Sequence, residues 1–218
     1  NKNTKMALSV CAVDCEMCMT ANGHTLTRLS VLDATDNSLA LDVLISPDEP
    51  ITDYLTAFSG VDEASLAVPA DSRTSRNAAG MLVCTRRQAQ IAFLRLVTAE
   101  TILIGHSVDS DMAALGVVHD ALVDTASLYP HHKGFPWRSK LKTLAKDHLG
   151  MDIQKQSNSG GSGTAKGHGQ QQQKQGHDSI EDARAALLLV KAKLAGGEGS
   201  GNGDQHAAGA GGGHYSGG

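Results

Sequence analysis

Two acidic side chains stand two residues apart in a run that otherwise favours a β-strand. Asp14 and Glu16 lie in the segment VDCEM, residues 13–17. Because side chains along a strand alternate between its faces, these two carboxylates point the same way. Like charges side by side repel each other and resist burial unless a positive charge lies between them. A hard divalent cation such as Mg²⁺, which prefers oxygen ligands, would supply that charge; a solvent-facing strand edge explains the same pair without a metal.

A third acidic residue follows a short apolar strand, in the segment GHSVDSDMAAL, residues 105–115. The pattern predicts a helix that begins there, with Ser107 as its N-cap. Apolar residues follow Asp111 at the third and fourth positions, so Asp111 shares their side of the helix and faces the sheet. Asp109 falls on the solvent side, where its charge favours the helix dipole.

A fourth acidic residue opens the last predicted helix, in the segment GHDSIEDAR, residues 176–184. Asp182 lies in the first turn, on the side of the apolar residues that follow. Asp178 and Glu181 have the spacing of a capping box. His177 stays in the preceding loop, close to Asp182. A histidine beside a carboxylate on an apolar face is a candidate general base, although solvation explains many histidines that precede helices.

The surrounding pattern predicts an α/β domain with a mixed sheet. The first half has β-forming runs separated by the turn pairs Asn22-Gly23 and Asp36-Asn37, which favour an antiparallel meander. The second half alternates helical and strand patterns, which is typical of a ribonuclease H-like sheet with parallel strands and flanking helices. The predicted strands are residues 7–18, 25–34, 39–45, 101–105 and 121–125, and the predicted helices are residues 86–100, 107–115, 139–149 and 179–194.

Length and composition limit the class of protein. The chain has 218 residues, 40% hydrophobic and 19% charged, which suffices for one domain with a buried core. The net charge of −4 excludes a polybasic surface as the main means of binding nucleic acid, but not an enzyme that binds phosphate through cations. No apolar run approaches the roughly 20 residues that span a membrane. No signal peptide is recognisable, and a chain that begins with Asn is expected to belong to a longer polypeptide.

Two glycine-rich segments interrupt this domain. Residues 155–176 are predicted to be a flexible, low-complexity insertion and residues 195–218 a disordered tail, because neither segment can bury enough apolar surface. The folded domain is therefore predicted over residues 1–194. The four cysteines do not form a disulfide framework, and their spacing disfavours a structural zinc site, which points to a reducing intracellular setting.

A basic stretch with two aromatic residues runs into the helix predicted at 139–149. Such a stretch could guide single-stranded RNA by charge and stacking, or it could be an ordinary solvated face. Its members are Lys133, Phe135, Trp137, Arg138, Lys140, Lys142 and Lys146.

Taken together, the three acidic motifs resemble those of the DEDDh exonucleases, specifically the Rex-type RNA exonuclease branch. The first motif of that family resembles ALDCEMC and here reads AVDCEMC, residues 12–18. The family pattern GHS-x-x-x-D-x-x-AL is similar to residues 105–115, and the family pattern GHDS-x-EDA-R is similar to residues 176–184. The resemblance covers about residues 6–194 apart from the insertion.

This resemblance implies a metal-dependent 3′–5′ exoribonuclease with a ribonuclease H-like fold. It makes Asp14, Glu16, Asp111 and Asp182 the ligands of two divalent cations, Mg²⁺ with Mn²⁺ as a substitute, and His177 the general base. The expected reaction is two-metal-ion hydrolysis that releases nucleoside 5′-monophosphates from the 3′ end of single-stranded RNA. The relatives also imply a nuclear location, whereas protein partners are unknown and no membrane is involved.

The resemblance also suggests substrate contacts and leaves two other functions open. Met17 is expected near the terminal nucleotide, and Phe58 matches a position beside the substrate, although it could be a core aromatic. Ala57 departs from the family, which often has Arg there. The alternatives are a DEDDh exonuclease that acts on DNA and a catalytically inactive module that binds RNA; Mg²⁺-dependent degradation of matched RNA and DNA distinguishes them.

Overall fold

The computed structural model describes residues 7–70, 75–155 and 176–197 of the chain. Seven strands and seven helices lie in this described part. The strands are β1 (Val10–Thr20), β2 (Gly23–Asp33), β3 (Leu39–Ile45), β4 (Ile51–Asp53), β5 (Val83–Cys84), β6 (Ile102–Gly105) and β7 (Leu122–Asp124). The helices are α1 (Thr56–Ser59), α2 (Glu63–Leu66), α3 (Arg86–Leu94), α4 (Val108–Leu115), α5 (Thr125–Leu128), α6 (Leu141–Leu149) and α7 (Ser179–Gly197).

The seven strands form one mixed sheet in the order β5-β3-β2-β1-β6-β7, and the short β4 pairs with the end of β1. Pairing is antiparallel within β1-β2-β3 and between β1 and β4, and parallel for β3-β5, β1-β6 and β6-β7. The predicted α/β fold with a three-stranded meander and parallel strands is therefore confirmed. The long strand β1 lies at the centre, where it meets both halves of the sheet.

Helix α7 covers one face of the sheet through small side chains. Ala183 and Ala186 pack against Ala12 of β1 and Ile104 of β6. Alanine lets the helix axis approach the sheet closely, and the burial of these apolar groups stabilises the contact. Because side chains two positions apart share a face of a strand, Asp14 lies on the same face of the sheet as Ala12, towards α7.

Helices α3 and α4 cover the other face, where the larger apolar core lies. Phe93 of α3 and Leu115 of α4 are fully buried there with Val13 and Leu29 of the sheet. Helix α3 begins with a capping box in which Thr85 accepts a hydrogen bond from the backbone N–H of Gln88. With apolar layers on both faces, the sheet is a rigid support for polar groups at its edge.

All of the predicted strands and helices are present, and apart from the end of α3 their ends lie within about three residues of the predicted ones. Helix α3 ends at Leu94 rather than at 100; the chain turns there, and the Leu96 carbonyl accepts a hydrogen bond from the N–H of Leu8 (2.7 Å). Helix α7 continues three residues past the predicted end at 194. Most of the predicted insertion (156–175) and of the predicted tail (198–218) lies outside the described residues.

The described residues bear on the predictions about the cysteines and about membrane-spanning segments. All four cysteines are free thiols, as the sequence predicts. The helices in the described ranges include none with the length and apolar character needed to cross a membrane.

Candidate active site

A cleft of about 490 Å³ opens where β1, α1, the start of α6 and the start of α7 meet. It brings together three of the residues predicted from sequence to do chemistry: Asp14, His177 and Asp182. The other residues that line it are Phe58, His106, Lys140, Leu141, Lys142 and Gln154. Residues far apart in the chain thus share one polar cavity.

The other two predicted carboxylates lie behind the cleft wall. Glu16 is buried on the strand that carries Asp14, and Asp111 is buried in the first turn of α4, as its helical position predicts. The negative charges of Asp111, Asp182 and Glu16 all raise the pKa of Asp14, after burial, which is the largest cause. Asp14 is therefore the centre on which the other three carboxylates converge electrostatically.

Each of the three other carboxyls also has a raised pKa. Burial raises the pKa of Glu16 to about 9, and the charge of Asp182 adds to the shift. Burial also raises the pKa of Asp111 to about 8, with contributions from Asp109 and Asp124. For Asp182, burial raises the pKa to about 6, partly offset by a hydrogen bond from Gln154. Without a compensating cation, the site favours protonated carboxyls.

Three oxygens at this centre are buried without a hydrogen-bond partner, one on each of Glu16, Asp111 and Asp182. Buried carboxylate oxygens almost always have a partner, so three orphaned oxygens on side chains that all act electrostatically on Asp14 point to a ligand that supplies positive charge. Oxygen donors of this type suit Mg²⁺ or Mn²⁺. In the ranges that the structure covers, no three His, Cys, Asp or Glu side chains stand close enough together to hold a metal ion. By its chemistry, a set of four carboxyl groups suits a divalent cation.

His177 lies at the mouth of this acidic centre. Its Nδ1 is 3.8 Å from Asp182 Oδ2, which is too long for a hydrogen bond, and its side chain remains 28% exposed. Burial lowers the pKa of His177, and the positive charge of Lys142 lowers it further. The imidazole is consequently neutral at pH 7 and able to accept a proton.

Close backbone contacts hold the loop that carries His177. The N–H of His177 donates to the carbonyl of Phe58 (2.7 Å), at the end of α1. Gly60 and Gly176 both have positive φ, and a Cβ on Gly176 would meet the Gly60 Cα at only 2.3 Å. No side chain fits between the two backbones at that distance. Glycine at both positions therefore lets the loop lie directly against the turn after α1.

An arginine that sequence reasoning missed secures the other side of His177. Arg28, on β2, forms two hydrogen bonds to Asp42 (2.9 and 3.1 Å) and one to Asp178 (3.0 Å). Its side chain is only 9% exposed. The positive charge of Arg28 also lowers the pKa of Asp14 and of Glu16, opposing the effect of burial. Arg28 both stabilises the acidic centre and fixes the residue next to His177.

Two further cleft residues were also missed. Gln154 donates a hydrogen bond from Nε2 to Asp182 Oδ2 (2.7 Å), and its backbone N–H donates to Glu181 (3.1 Å). The sequence offers no signal for Gln154, because it stands at the border of the predicted insertion. His106 lies within 2.9 Å of Thr125 through Nδ1, and its position in the motif at 105–115 was an available signal.

The two residues predicted to contact the substrate lie in different surroundings, one at the cleft and one outside it. Phe58 is 58% exposed and meets the His177 ring edge to face, with centroids 6.0 Å apart, so it is not a core aromatic. Met17 follows an irregularity in the β1-β2 register and is partly buried against the larger apolar core, outside the residues that line the cleft. Contact of Met17 with a nucleotide stays a prediction.

Two local predictions about helix starts are wrong. Ser107 has a positive φ of 58° and makes no capping bond through its side chain; its N–H instead donates to Asp124 Oδ1 (2.8 Å). The Asp178–Glu181 capping box does not form as predicted, because Glu181 accepts the Gln154 N–H while Asp178 accepts from Ile180. At Glu181 a tertiary partner replaces the local one, whereas Asp178 still caps the start of α7 through Ile180.

Comparison with known proteins finds relatives by sequence. No protein-family model matches the chain. Exonuclease GOR of Pan troglodytes is 46% identical over 143 residues, which are 66% of this chain and 19% of that protein. RNA exonuclease 1 homolog of Homo sapiens is 43% identical over 143 residues, which are 66% of this chain and 11% of that protein. The chain thus spans about a fifth or less of the length of these two relatives.

A solved structure shares the fold. The pseudoubiquitin hydrolase–RNA exonuclease module of Saccharomyces cerevisiae Pan2, in complex with AACCAA RNA, superposes with a TM-score of 0.69. The match covers 92% of this chain and 31% of that chain at 20% sequence identity, a level at which the likeness concerns the fold. The mixed sheet with flanking helices is accordingly the ribonuclease H-like fold predicted from the sequence.

Proposed function

Because this chain belongs to the Rex-type branch of the DEDDh exonucleases, we propose that it hydrolyses RNA from the 3′ end and releases nucleoside 5′-monophosphates. One observation carries the proposal. Four carboxyl groups from three elements, β1, α4 and α7, converge electrostatically on one centre beside His177, and three of them have a buried oxygen without a partner. Such an arrangement is costly for folding and is typical of sites that bind ligands.

In this proposal, Asp14, Glu16, Asp111 and Asp182 hold two divalent cations, Mg²⁺ or Mn²⁺. When bound, the cations would supply positive charge that lowers the pKa of a water molecule and stabilises the charge on the leaving oxygen. Burial and mutual repulsion favour the protonated carboxyls, so a bound cation would stabilise their ionised form.

His177 is the proposed general base. Its lowered pKa leaves the imidazole unprotonated at neutral pH, so it can take the proton of the attacking water. The water oxygen then bonds to phosphorus, the P–O3′ bond breaks, and the shortened RNA keeps a 3′-hydroxyl after protonation. Phe58, whose ring meets that of His177, would contact the terminal base or sugar.

The choice of RNA rests on the relatives rather than on the carboxylates, since phosphodiester chemistry is the same for RNA and DNA. Relatives named RNA exonuclease come from human and from yeast, and the yeast Pan2 module was solved with RNA bound. A site that recognises RNA contacts the 2′-hydroxyl. A nuclear location and Met17 as a further substrate contact are part of the same proposal.

The deciding experiment compares single-stranded RNA and DNA of matched sequence, each labelled at the 5′ end, with Mg²⁺ and with EDTA. The expected result is a ladder of shortened RNA products in Mg²⁺, slower degradation of DNA, and no reaction in EDTA. Degradation of the RNA from the labelled end, or equal degradation in EDTA, would contradict the proposal.

Substitutions then test the assigned roles. We expect His177→Ala to lower turnover on the order of 10²–10⁴-fold with Mg²⁺ binding retained, because a general base contributes about that much. Asp14→Asn is expected to abolish activity. The matched control is His24→Ala, since His24 is an exposed histidine outside the cleft. Wild-type rates for His177→Ala would remove His177 from the mechanism.

A further inference from the structure

The segment between α5 and α6 exposes two large aromatic side chains beside the candidate active site. Phe135 is 92% exposed and Trp137 is 59% exposed, in a chain with only 3% aromatic residues. Large aromatic groups contribute strongly to folding when they are buried. Two of them left in solvent within three residues of each other indicate a surface that contacts a partner.

Positive charges accompany these rings and continue into the cleft. The Nζ of Lys133 lies 5.1 Å from the centre of the Trp137 ring, within the range of a cation–π contact. Lys140 and Lys142 then line the cleft together with the candidate catalytic residues. The basic, aromatic segment and the acidic centre are therefore parts of one continuous surface.

These lysines are available to an anionic ligand. Among the ion pairs formed by the described residues, none joins Lys133, Lys140 or Lys142 to a carboxylate. The Nζ of Lys142 donates to the neutral carbonyl of Gln154 (3.2 Å), so its charge stays uncompensated. Because the chain has a net charge of −4, this local cluster of positive charge does not follow from the overall composition.

An ion pair fixes the segment relative to the site. Arg138 contacts Asp109, at the start of α4, with 3.3 Å between Nη1 and Oδ1. The same helix carries Asp111 of the acidic centre. The aromatic rings are thus anchored next to the cleft, although both partners of the pair are themselves largely exposed.

We propose that Lys133, Phe135, Trp137, Lys140 and Lys142 form a platform for the nucleotides that precede the 3′ end of single-stranded RNA. The proposal rests on the proposed exonuclease function and adds that the protein contacts several nucleotides of its substrate. In this platform the lysines contact phosphates and the rings of Phe135 and Trp137 stack on bases. Aromatic rings interleaved with cations beside a phosphodiester site suit a single strand, because unpaired bases expose faces for stacking and every nucleotide carries a charge.

The test uses Trp137 itself, because it is the single tryptophan of the chain and its fluorescence reports only on this segment. The full chain in EDTA is titrated with a 12-nucleotide single-stranded RNA and, separately, with a nucleoside 5′-monophosphate. Stacking predicts quenching by the RNA, and none by the mononucleotide, which fills only the cleft. Phe135→Ala should weaken RNA binding by about 5- to 150-fold, the range measured for loss of one stacking ring.

The matched control is Val118→Ala, which removes another exposed apolar side chain, 95% exposed and past the far end of α4. Lys133→Gln together with Lys140→Gln should reduce the salt dependence of binding, with Lys191→Gln on α7 as the control. The platform is refuted if RNA, followed by anisotropy of a 5′ label, binds without changing the Trp137 fluorescence or does not bind at all. Equal affinities for Phe135→Ala and Val118→Ala also refute it.

A dinucleotide substrate separates this proposal from the proposed function. It reaches the acidic centre but is too short to extend across the platform. Hydrolysis of the dinucleotide without quenching by long RNA overturns the platform alone. Quenching by long RNA with no hydrolysis of either substrate in Mg²⁺ supports the platform and counts against the exonuclease function.

Discussion

Glu16→Gln offers a direct test of whether the acidic centre destabilises the metal-free protein. Glu16 is buried, its pKa is raised from 4.5 to about 9, and one of its oxygens has no partner. Below pH 4.5 the side chain is protonated in both the folded and the unfolded state, so its ionisation has no effect on stability. Above that pH the unfolded chain releases the proton while the folded protein retains it, and rising pH therefore favours unfolding.

The magnitude follows from the size of the shift. Because the unfolded side chain is already half ionised at pH 4.5, the penalty from Glu16 grows between pH 4.5 and pH 7 by somewhat less than the full slope of about 1.4 kcal/mol per pH unit would give, and it reaches about 3 kcal/mol. Glutamine is uncharged at every pH and has nearly the same shape. We therefore expect the free energy of unfolding of Glu16→Gln, relative to wild type, to rise by about 3 kcal/mol between these two pH values.

Urea denaturation at pH 4.5 and pH 7, in EDTA, measures this difference. The comparison between two pH values cancels any packing effect of the amide, which does not depend on pH. Glu100→Gln is the matched control, because Glu100 is exposed and away from the site. A relative stability of Glu16→Gln that is the same at both pH values would refute the claim that burial strains this carboxyl.

Magnesium should stabilise wild type at pH 7, as the substitution does, but by compensating the buried charge rather than by removing it. A ligand that binds only the folded state stabilises it in proportion to the logarithm of its concentration. At pH 7, Mg²⁺ is expected to stabilise wild type and to stabilise Glu16→Gln much less, since one donor oxygen is lost. Equal stabilisation of the two proteins by Mg²⁺ would exclude Glu16 as a ligand.

Two further predictions concern the surroundings of the proposed catalytic groups. Gly176→Ala should lower the rate of RNA hydrolysis at least about 10-fold, because the added methyl group collides with the turn after α1 and displaces His177. The control is Gly80→Ala, which is also at positive φ but has open space around it and should keep the wild-type rate. Equal rates for the two variants would contradict the role of the contact between Gly176 and Gly60. Gln154→Leu removes the hydrogen bond to Asp182 and should therefore raise the pKa of Asp182. The acid limb of the rate–pH profile should shift to higher pH. An unchanged profile would show that this hydrogen bond does not lower the pKa of the carboxyl group.

The sequence predicts those parts of the site that depend on local periodicity. The period of two in a strand assigns Asp14 and Glu16 to one face, and the helical period assigns Asp111 and Asp182 to buried sides of their helices. All four lie where these periods place them. Periodicity succeeds here because both faces of the sheet are covered, so the inward side of each element is fixed by its apolar residues.

The parts that could not be predicted depend on contacts between distant residues. Arg28 meets Asp178 across 150 positions, and Gln154 reaches Asp182 across 28. Neither residue belongs to a recognisable motif or spacing. The missing side-chain cap of Ser107 was likewise not predictable from its residue type, because its backbone is left-handed and its N–H bonds to Asp124, 17 residues away.

The carboxylates and His177 are held in place by different parts of the fold, so substitutions near each should have different effects. The carboxylates lie on β1, α4 and α7, within the packed framework, where their repulsion can be resisted. His177 instead depends on a loop fixed by a backbone hydrogen bond, a contact between two glycines and the ion pair of Arg28 with Asp178. Damage to the loop should therefore reduce turnover with little change in Mg²⁺-dependent stability. Damage to a carboxylate should change both, because the same buried charge determines the folding free energy and the affinity for the cation.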